Sequence, residues 1–203
     1  LVEIVRGAQT DDRALATAVA VTTRMGKIGI EVGNGFGFVG NRMLYAYGRE
    51  KELLMLEGAT PSEVDQALQH FGMAMGPNAV GDLAGLDVGY HARRAWVDRP
   101  TDPRYYRVSD LLVEQGRLGR KSGQGFYRYD TGGRRVDDPE VVDMIRAESK
   151  CLGVQVRSID PAEIVERCML ALINEGARVI DEQIARSPDD VDAIWCNGYG
   201  FPR

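Results

Sequence analysis

The chain has 203 residues, of which 44% are hydrophobic, and its formal net charge at pH 7 is −5. This length and hydrophobic content suffice for one or two ordinary cores, and no apolar run approaches the ~18 residues of a membrane-spanning helix. Acidic residues outnumber basic ones, and no basic patch is interleaved with aromatic residues. The composition therefore argues against a surface for nucleic acid.

The cysteines argue against both a disulfide framework and a metal site. Cys151, Cys168 and Cys196 are odd in number, widely spaced and not grouped as C-x-x-C. We expect free thiols and no bound metal. The chain begins at Leu1 with neither an initiator Met nor a basic-then-apolar leader, so we expect that it was cut from something longer.

Helical signals dominate the first 60 residues. Thr10, followed by two acids, predicts a helix cap, and the helix should continue to Met25 until Gly26 ends it. A short apolar run, 28–32, precedes a glycine-rich stretch. A second helical pattern covers 41–57.

Three further helix starts share one pattern. Thr60-Pro61-Ser62-Glu63 is a capping box with Pro at the first helical position, followed by an apolar stripe. The same kind of start recurs at Asp160, opening a long helix to about Ile184, and at Ser187. The stripe of the first of these helices consists of Val64, Ala67, Leu68 and Phe71.

Two of these starts indicate an internal duplication. Residues 60–65 match residues 187–192 in cap, proline, valine and aspartate, at a spacing near 127, and each follows a long amphipathic helix. Two copies at that scale are not a solenoid, whose repeats are shorter. We predict a first domain over 1–130, a polar, Gly-rich linker over 131–139, and a second, truncated copy over 140–203.

The glycines at 35, 37 and 40 form the dinucleotide-type pattern G-x-G-x-x-G. That fingerprint binds a cofactor only inside a βαβ unit, where a second strand ends in an acidic residue that takes the ribose hydroxyl. Here residues 56–63 end one helix and start another. We therefore predict that these glycines do not bind a dinucleotide.

Four stretches, in order and spacing, resemble the L-3-hydroxyacyl-CoA dehydrogenase family of fatty acid β-oxidation. They are L-V-E-I-V-R-G at 1–7, G-F-V-G-N-R-M-L at 37–44, M-G-P at 75–77 with D-L-A-G-L-D at 82–87, and L-G-R-K-S-G-Q-G-F-Y at 118–127. The resemblance implies an all-α fold: a duplicated C-terminal helical domain of that family, like the C-terminal domain of 6-phosphogluconate dehydrogenase, with 1–6 a remnant strand of the NAD domain. Continuation of the chain into a second copy of the domain resembles the multifunctional members of the family.

The resemblance also implies an activity for the intact protein: NAD-dependent oxidation of L-3-hydroxyacyl-CoA to 3-ketoacyl-CoA, in the cytoplasm or, in a eukaryote, the peroxisome. The family's catalytic His and NAD-binding glycines would lie upstream of residue 1. We expect no NAD bound to this chain and no catalysis by it alone. The alternative is a non-catalytic assembly module that forms subunit contacts, including a homo-oligomer.

By the same resemblance, Asn41 is the active-site Asn that helps to position the acyl-CoA substrate, and Lys121 reaches toward NAD. The alternatives are a plain helix cap for Asn41 and a solvated turn lysine for Lys121. Pro77, Leu83 and Leu86 match the segment that walls the acyl pocket, although apolar residues at helical spacing are more often core.

Four other titratable residues carry no catalytic pattern. His70 and His91 lack the neighbours of a triad or a ligand set, and we expect them at the surface. Asp82 and Asp87 are five residues apart, which places them on different faces of one helix, so we expect solvated or capping roles instead of a paired-carboxylate site.

Overall fold

The computed structural model describes all 203 residues as nine α-helices and two two-stranded sheets. The predicted all-α class is confirmed. No helix combines the length and apolar character needed to cross a bilayer. In chain order the elements are β1 Val2–Arg6, α1 Asp12–Arg24, β2 Gly29–Gly33, α2 Gly40–Leu56, α3 Pro61–Phe71, α4 Pro77–Ala84, α5 Leu86–Ala95, α6 Arg107–Glu114, a 3₁₀ turn Arg120–Ser122, β3 Tyr127–Tyr129, β4 Arg135–Asp137, α7 Pro139–Cys151, α8 Pro161–Asp181 and α9 Pro188–Gly198.

The chain divides into two compact units. The first consists of Leu1–Tyr47 and Met169–Arg203, and the second of Gly48–Cys168. The predicted domains, 1–130 and 140–203, follow the sequence duplication and remain a prediction. The segment predicted as a linker contains β4 and the turn that joins it to β3.

The first unit opens with a βαβ arrangement. The predicted strand at the start of the chain is β1, and it pairs in parallel with β2, with Val5 opposite Val32. Helix α1 connects the two strands; its N-cap is Asp11, whose carboxylate accepts a hydrogen bond from the Ala14 N–H, so the cap predicted at Thr10 was wrong by one residue. Buried side chains of this unit include Ile4, Val32, Val39, Met43, Val179 and Ile194.

The three Pro-containing helix starts are confirmed. Thr60 caps α3 with a complete capping box, and Ser187 caps α9 by accepting from the Asp190 N–H. Asp160 precedes α8, and its carboxylate accepts from the Ala162 N–H at 2.7 Å. These ends form as predicted because an oxygen acceptor satisfies N–H groups that the helix itself cannot.

The second unit has its core between the end of α2 and the helices that follow. Its buried residues include Leu54, Leu56, Val64, Leu68, Val108, Leu112, Phe126, Val141 and Ile164. Phe71, predicted in the apolar stripe of α3, is 42% exposed because it is the last residue of the helix.

Candidate functional site

The turn before α2 explains the glycines of the dinucleotide-type pattern. Gly37 has a φ of +73°, and a Cβ there would lie 2.9 Å from the Arg42 nitrogen. A Cβ on Gly35 would lie 2.6 Å from Ile184 Cδ1. Gly37 therefore requires glycine for its backbone conformation, and a side chain at Gly35 would displace the end of the Ile184 side chain.

A carboxylate of the protein occupies the start of α2. Glu3 Oε1 accepts hydrogen bonds from the backbone N–H groups of Val39, at 2.9 Å, and Gly40, at 3.2 Å. Free N–H groups and the positive end of the helix dipole make such a position attractive to anions. Since Glu3 already supplies the negative charge, the position does not fit the pyrophosphate of a dinucleotide.

Asn41 is the second residue of α2, and its side chain is exposed. Its Oδ1 accepts a hydrogen bond from the Tyr199 hydroxyl at 2.9 Å, and its Nδ2 has no protein partner. The side chain accepts nothing from the backbone, so the helix-cap alternative was wrong. The amide of Asn41 therefore presents two N–H donors to solvent or to a ligand.

The neighbouring Arg42 fixes this first turn of α2. Its Nε donates to Glu175 Oε1 at 2.6 Å, and its other nitrogens donate to both carboxylate oxygens of Glu182. The pKa of Arg42 is raised, chiefly by its hydrogen bonds with Glu182. This multiple pairing holds the backbone beside Asn41 against α8.

Lys121 lies in the 3₁₀ turn of the second unit, and its side chain is 48% exposed. Its Nζ donates to Asp87 Oδ1 at 2.5 Å and lies over Gly85, where a Cβ would come within 2.8 Å of it. The hydrogen bond from Lys121 lowers the pKa of Asp87. Lys121 is thus an ion-paired turn lysine, with Asp87 as a partner that the sequence did not reveal.

Asp82 is fully buried, which corrects the solvated or capping role predicted for it. Its carboxylate accepts from the backbone N–H groups of Phe126, at 2.9 Å, and Tyr127, at 3.1 Å, and from the Tyr129 hydroxyl at 3.0 Å. Burial raises the pKa of Asp82. Asp82 lies in α4 and Asp87 in α5, so the two are not on one helix as predicted.

Asp82 is the link between two of the sequence motifs. A Cβ on Gly119 would lie 2.4 Å from the Asp82 carbonyl oxygen, and one on Gly125 would lie 2.0 Å from Asp82 Oδ1. The glycines of the 118–127 stretch therefore admit the close approach of α4. This stretch and the 82–87 stretch form one hydrogen-bonded assembly.

The predicted acyl-pocket residues differ in exposure. Pro77 is buried at the first position of α4, and Leu86 is 6% exposed at the start of α5, whereas Leu83 is 56% exposed. Within this group, Leu83 alone presents its side chain for contact with a ligand.

The histidines and cysteines show no arrangement typical of a catalytic or metal site. His70 and His91 are exposed, as expected. All three cysteines are free; Cys168 is buried, and burial raises the pKa of its thiol to about 12. No group of three His, Cys, Asp or Glu side chains is arranged to hold a metal ion.

The predicted site residues are divided between the units. Asn41 belongs to the first, and Pro77, Leu83, Leu86 and Lys121 belong to the second. Their roles in binding and catalysis remain predictions. Sequence reasoning missed the two residues that contact the start of α2, Glu3 and Tyr199, because each is remote from it along the chain.

Comparison with known proteins gives consistent matches. The chain is 43% identical over its whole length to a peroxisomal bifunctional enzyme of Danio rerio, and spans 30% of that protein. It is 34% identical to a fatty acid oxidation complex subunit alpha of Psychrobacter arcticus, of which it spans 29%. The chain thus covers less than a third of the length of these relatives.

A solved structure gives the same relationship. The dehydrogenase part of multifunctional enzyme 1 from C. elegans matches 98% of this chain with 30% identity and a TM-score of 0.71, and the match covers 45% of that chain. Residues 37–129 match the family model described as "3-hydroxyacyl-CoA dehydrogenase, C-terminal domain". Over these residues the chain is similar to the C-terminal helical domain of the 3-hydroxyacyl-CoA dehydrogenase family.

Proposed function

We propose that this chain is the substrate-positioning and assembly portion of an NAD-dependent 3-hydroxyacyl-CoA dehydrogenase that oxidises L-3-hydroxyacyl-CoA to 3-ketoacyl-CoA. One observation carries the proposal: Asn41 lies in the family's G-F-V-G-N-R-M-L stretch with both amide N–H donors unpartnered on an exposed first turn of helix. The similarity to a peroxisomal bifunctional enzyme and to a fatty acid oxidation complex subunit alpha supports it.

Asn41 has the chemistry that the role requires. A carboxamide N–H can donate to the carbonyl oxygen of an acyl-CoA substrate, which fixes the position of the reacting carbon. The α2 helix and the Arg42 ion pairs hold the backbone of Asn41 in place. Leu83, the exposed member of the predicted acyl-pocket group, is the residue that we assign to the acyl chain.

The residues near the glycine pattern do not fit NAD, because Glu3 places a carboxylate where the pyrophosphate would bind. We therefore assign no step of hydride transfer to this chain. Its contribution is to bind and orient the acyl-CoA. If Lys121 contacts NAD, it must first leave Asp87.

The test is Asn41→Ala in a chimera in which this chain replaces the aligned segment of the Danio rerio enzyme. We expect a loss of about a hundredfold in turnover, the order of effect that misplacing a substrate by about 1 Å produces. Thermal melts should change little, since the Asn41 side chain is exposed and bonded once. Turnover is measured with acetoacetyl-CoA and NADH.

Asn174, an exposed asparagine in α8, is the matched control, and Asn174→Ala should leave turnover unchanged. Near-normal turnover of Asn41→Ala, or an inactive unmodified chimera, would contradict the proposed function.

A specific observation supports the second candidate, an assembly module. Leu170 and Ile173 lie three residues apart on α8 and are 50% and 64% exposed. Apolar side chains on one exposed face are typical of an interface between protein chains. Sedimentation of the 203-residue chain over a range of concentrations tests this candidate, and Ile173→Glu should abolish any self-association that this face supports.

A further inference from the structure

The hydroxyl of Tyr199 is the partner of Asn41, although the two residues are 158 positions apart in the chain. The hydroxyl donates to Asn41 Oδ1 at 2.9 Å, and this is the single hydrogen bond of the Asn41 side chain. The orientation of that amide thus depends on a residue that follows α9.

Tyr199 is itself held firmly. Its ring stacks on Trp195, with centroids 4.8 Å apart and planes 23° from parallel, and Trp195 is 3% exposed. The ring also occupies the space that a side chain at residue 40 would need: a Cβ on Gly40 would lie 2.4 Å from both Tyr199 Cε2 and its hydroxyl oxygen. The third glycine of the G-x-G-x-x-G pattern therefore makes room for this ring.

The hydroxyl of Tyr199 is a dependable donor. Burial, followed by the negative charge of Glu3, raises its pKa, so the phenol stays protonated at neutral pH. A carboxamide exchanges its oxygen and nitrogen on a half rotation. With the Tyr199 hydroxyl donating to Oδ1, both N–H groups of Nδ2 stay free for a ligand, whereas a flipped amide would use one of them to donate to the hydroxyl oxygen.

We propose that Tyr199 is a positioning residue: its hydroxyl fixes the amide of Asn41 so that the Nδ2 donors face the carbonyl oxygen of an acyl-CoA substrate. This inference rests on the proposed function of Asn41. It adds a residue outside the family-matched range 37–129 to the site. Tyr199 acts through Asn41 and does not itself contact the substrate.

The first experiment is a double-mutant cycle in the Danio rerio chimera. Tyr199→Phe keeps the ring on Gly40 and Trp195 and removes only the hydroxyl. We expect kcat to fall about fivefold, the equivalent of one ordinary hydrogen bond, with KM within about twofold. In the Asn41→Ala background, Tyr199→Phe should have no further effect, because the group through which it acts is absent.

The second experiment needs no activity and uses the 203-residue chain itself. The side-chain amide signals of Asn41, identified by their loss in Asn41→Ala, should shift and exchange faster in Tyr199→Phe. Tyr90→Phe is the control, since the Tyr90 hydroxyl bonds to Arg94 and removing it should leave the Asn41 signals unchanged.

The outcomes separate the two proposals. If Asn41→Ala abolishes turnover but Tyr199→Phe is normal, or if the two effects multiply in the double variant, the positioning role is wrong and the proposed function stands. Unchanged Asn41 amide signals in Tyr199→Phe would also overturn the positioning role. If Asn41→Ala is active, or the unmodified chimera is not, the proposed function fails, whereas the amide signals still report whether Tyr199 orients Asn41.

Discussion

Replacement of Asp82 by Ala removes the carboxylate that connects α4 to the strand β3. Two backbone N–H groups, of Phe126 and Tyr127, would lose their acceptor in a buried setting. A buried donor left without a partner costs about 1–3 kcal/mol. Removing the carboxylate also removes the cost of burying it, which is visible in the raised pKa of Asp82. We expect a net loss of about 2–4 kcal/mol in the free energy of unfolding.

Asp87→Ala is the matched control, because it removes a carboxylate from the same motif at a more exposed position. The ion pair between Asp87 and Lys121, whose side chain is 48% exposed, should contribute about 0–1 kcal/mol to the free energy of unfolding. Both variants are measured by urea unfolding of the 203-residue chain. Amide hydrogen exchange at Phe126 and Tyr127 locates the effect.

Equal losses in the two variants would refute this reasoning. So would unchanged exchange protection of the Phe126 and Tyr127 amides in Asp82→Ala. Either result would mean that the hydrogen bonds from Asp82 do not hold the 118–127 stretch against α4.

The chain should not bind NADH with saturation in a fluorescence titration, and saturable binding that Gly37→Ala abolishes would contradict our interpretation of the glycine pattern. Gly40→Ala should destabilise the first unit by about 1–3 kcal/mol in urea unfolding, because the added Cβ would lie 2.4 Å from the Tyr199 ring. An unchanged urea midpoint would show that the ring moves aside freely. The hydrogen bond from Arg157 lowers the pKa of Glu163 from 4.5 to about 2, so this pair stabilises the fold above pH 4.5 and that stabilisation is lost as the pH falls toward 2. Thermal melts of Glu163→Gln should therefore depend less on pH between 4.5 and 2 than those of the unmodified chain, and identical profiles would exclude a contribution from the pair.

Local signals in the sequence predicted the helix starts well. The capping box at Thr60 and the cap at Ser187 depend on atoms within three residues of each other, so their chemistry can be read directly from the chain. The error at Thr10 has a local cause as well: Asp11 and Thr10 are both good caps, and the choice depends on where the backbone leaves β1. The sequence could not decide between neighbouring candidates.

Contacts between distant segments could not be predicted in this way. Asp82 was expected in a solvated or capping role from its spacing to Asp87, whereas its partners, Phe126 and Tyr127, lie more than 40 residues away. Lys121 was recognised as a candidate, but its partner Asp87 was not. A single sequence contains no direct sign of which acidic residue meets which donor, so buried and paired carboxylates were the largest source of error.

The glycine pattern is explained by local sequence signals and by contacts between distant segments together. The sequence excluded the dinucleotide interpretation, because α3 and not a strand follows α2, and the structure agrees on that order of elements. It could not say why the glycines are there. Their reasons are a positive φ at Gly37 and close contacts at Gly35 and Gly40, each with a residue far along the chain or across the turn.

Residues 166–168, in the predicted second copy, contain no counterpart of Asn41. Another residue of that predicted copy nevertheless contacts Asn41. Tyr199, which follows α9, donates to Asn41 Oδ1, and its ring stacks on Trp195 of α9; all three residues belong to the first compact unit. In the predicted duplication, the second copy would then contribute to the site by orienting a residue of the first. If Tyr199→Phe lowers turnover only while Asn41 is present, residues 37–129 do not suffice for the full effect of Asn41, because the orientation of its amide depends on a residue outside them.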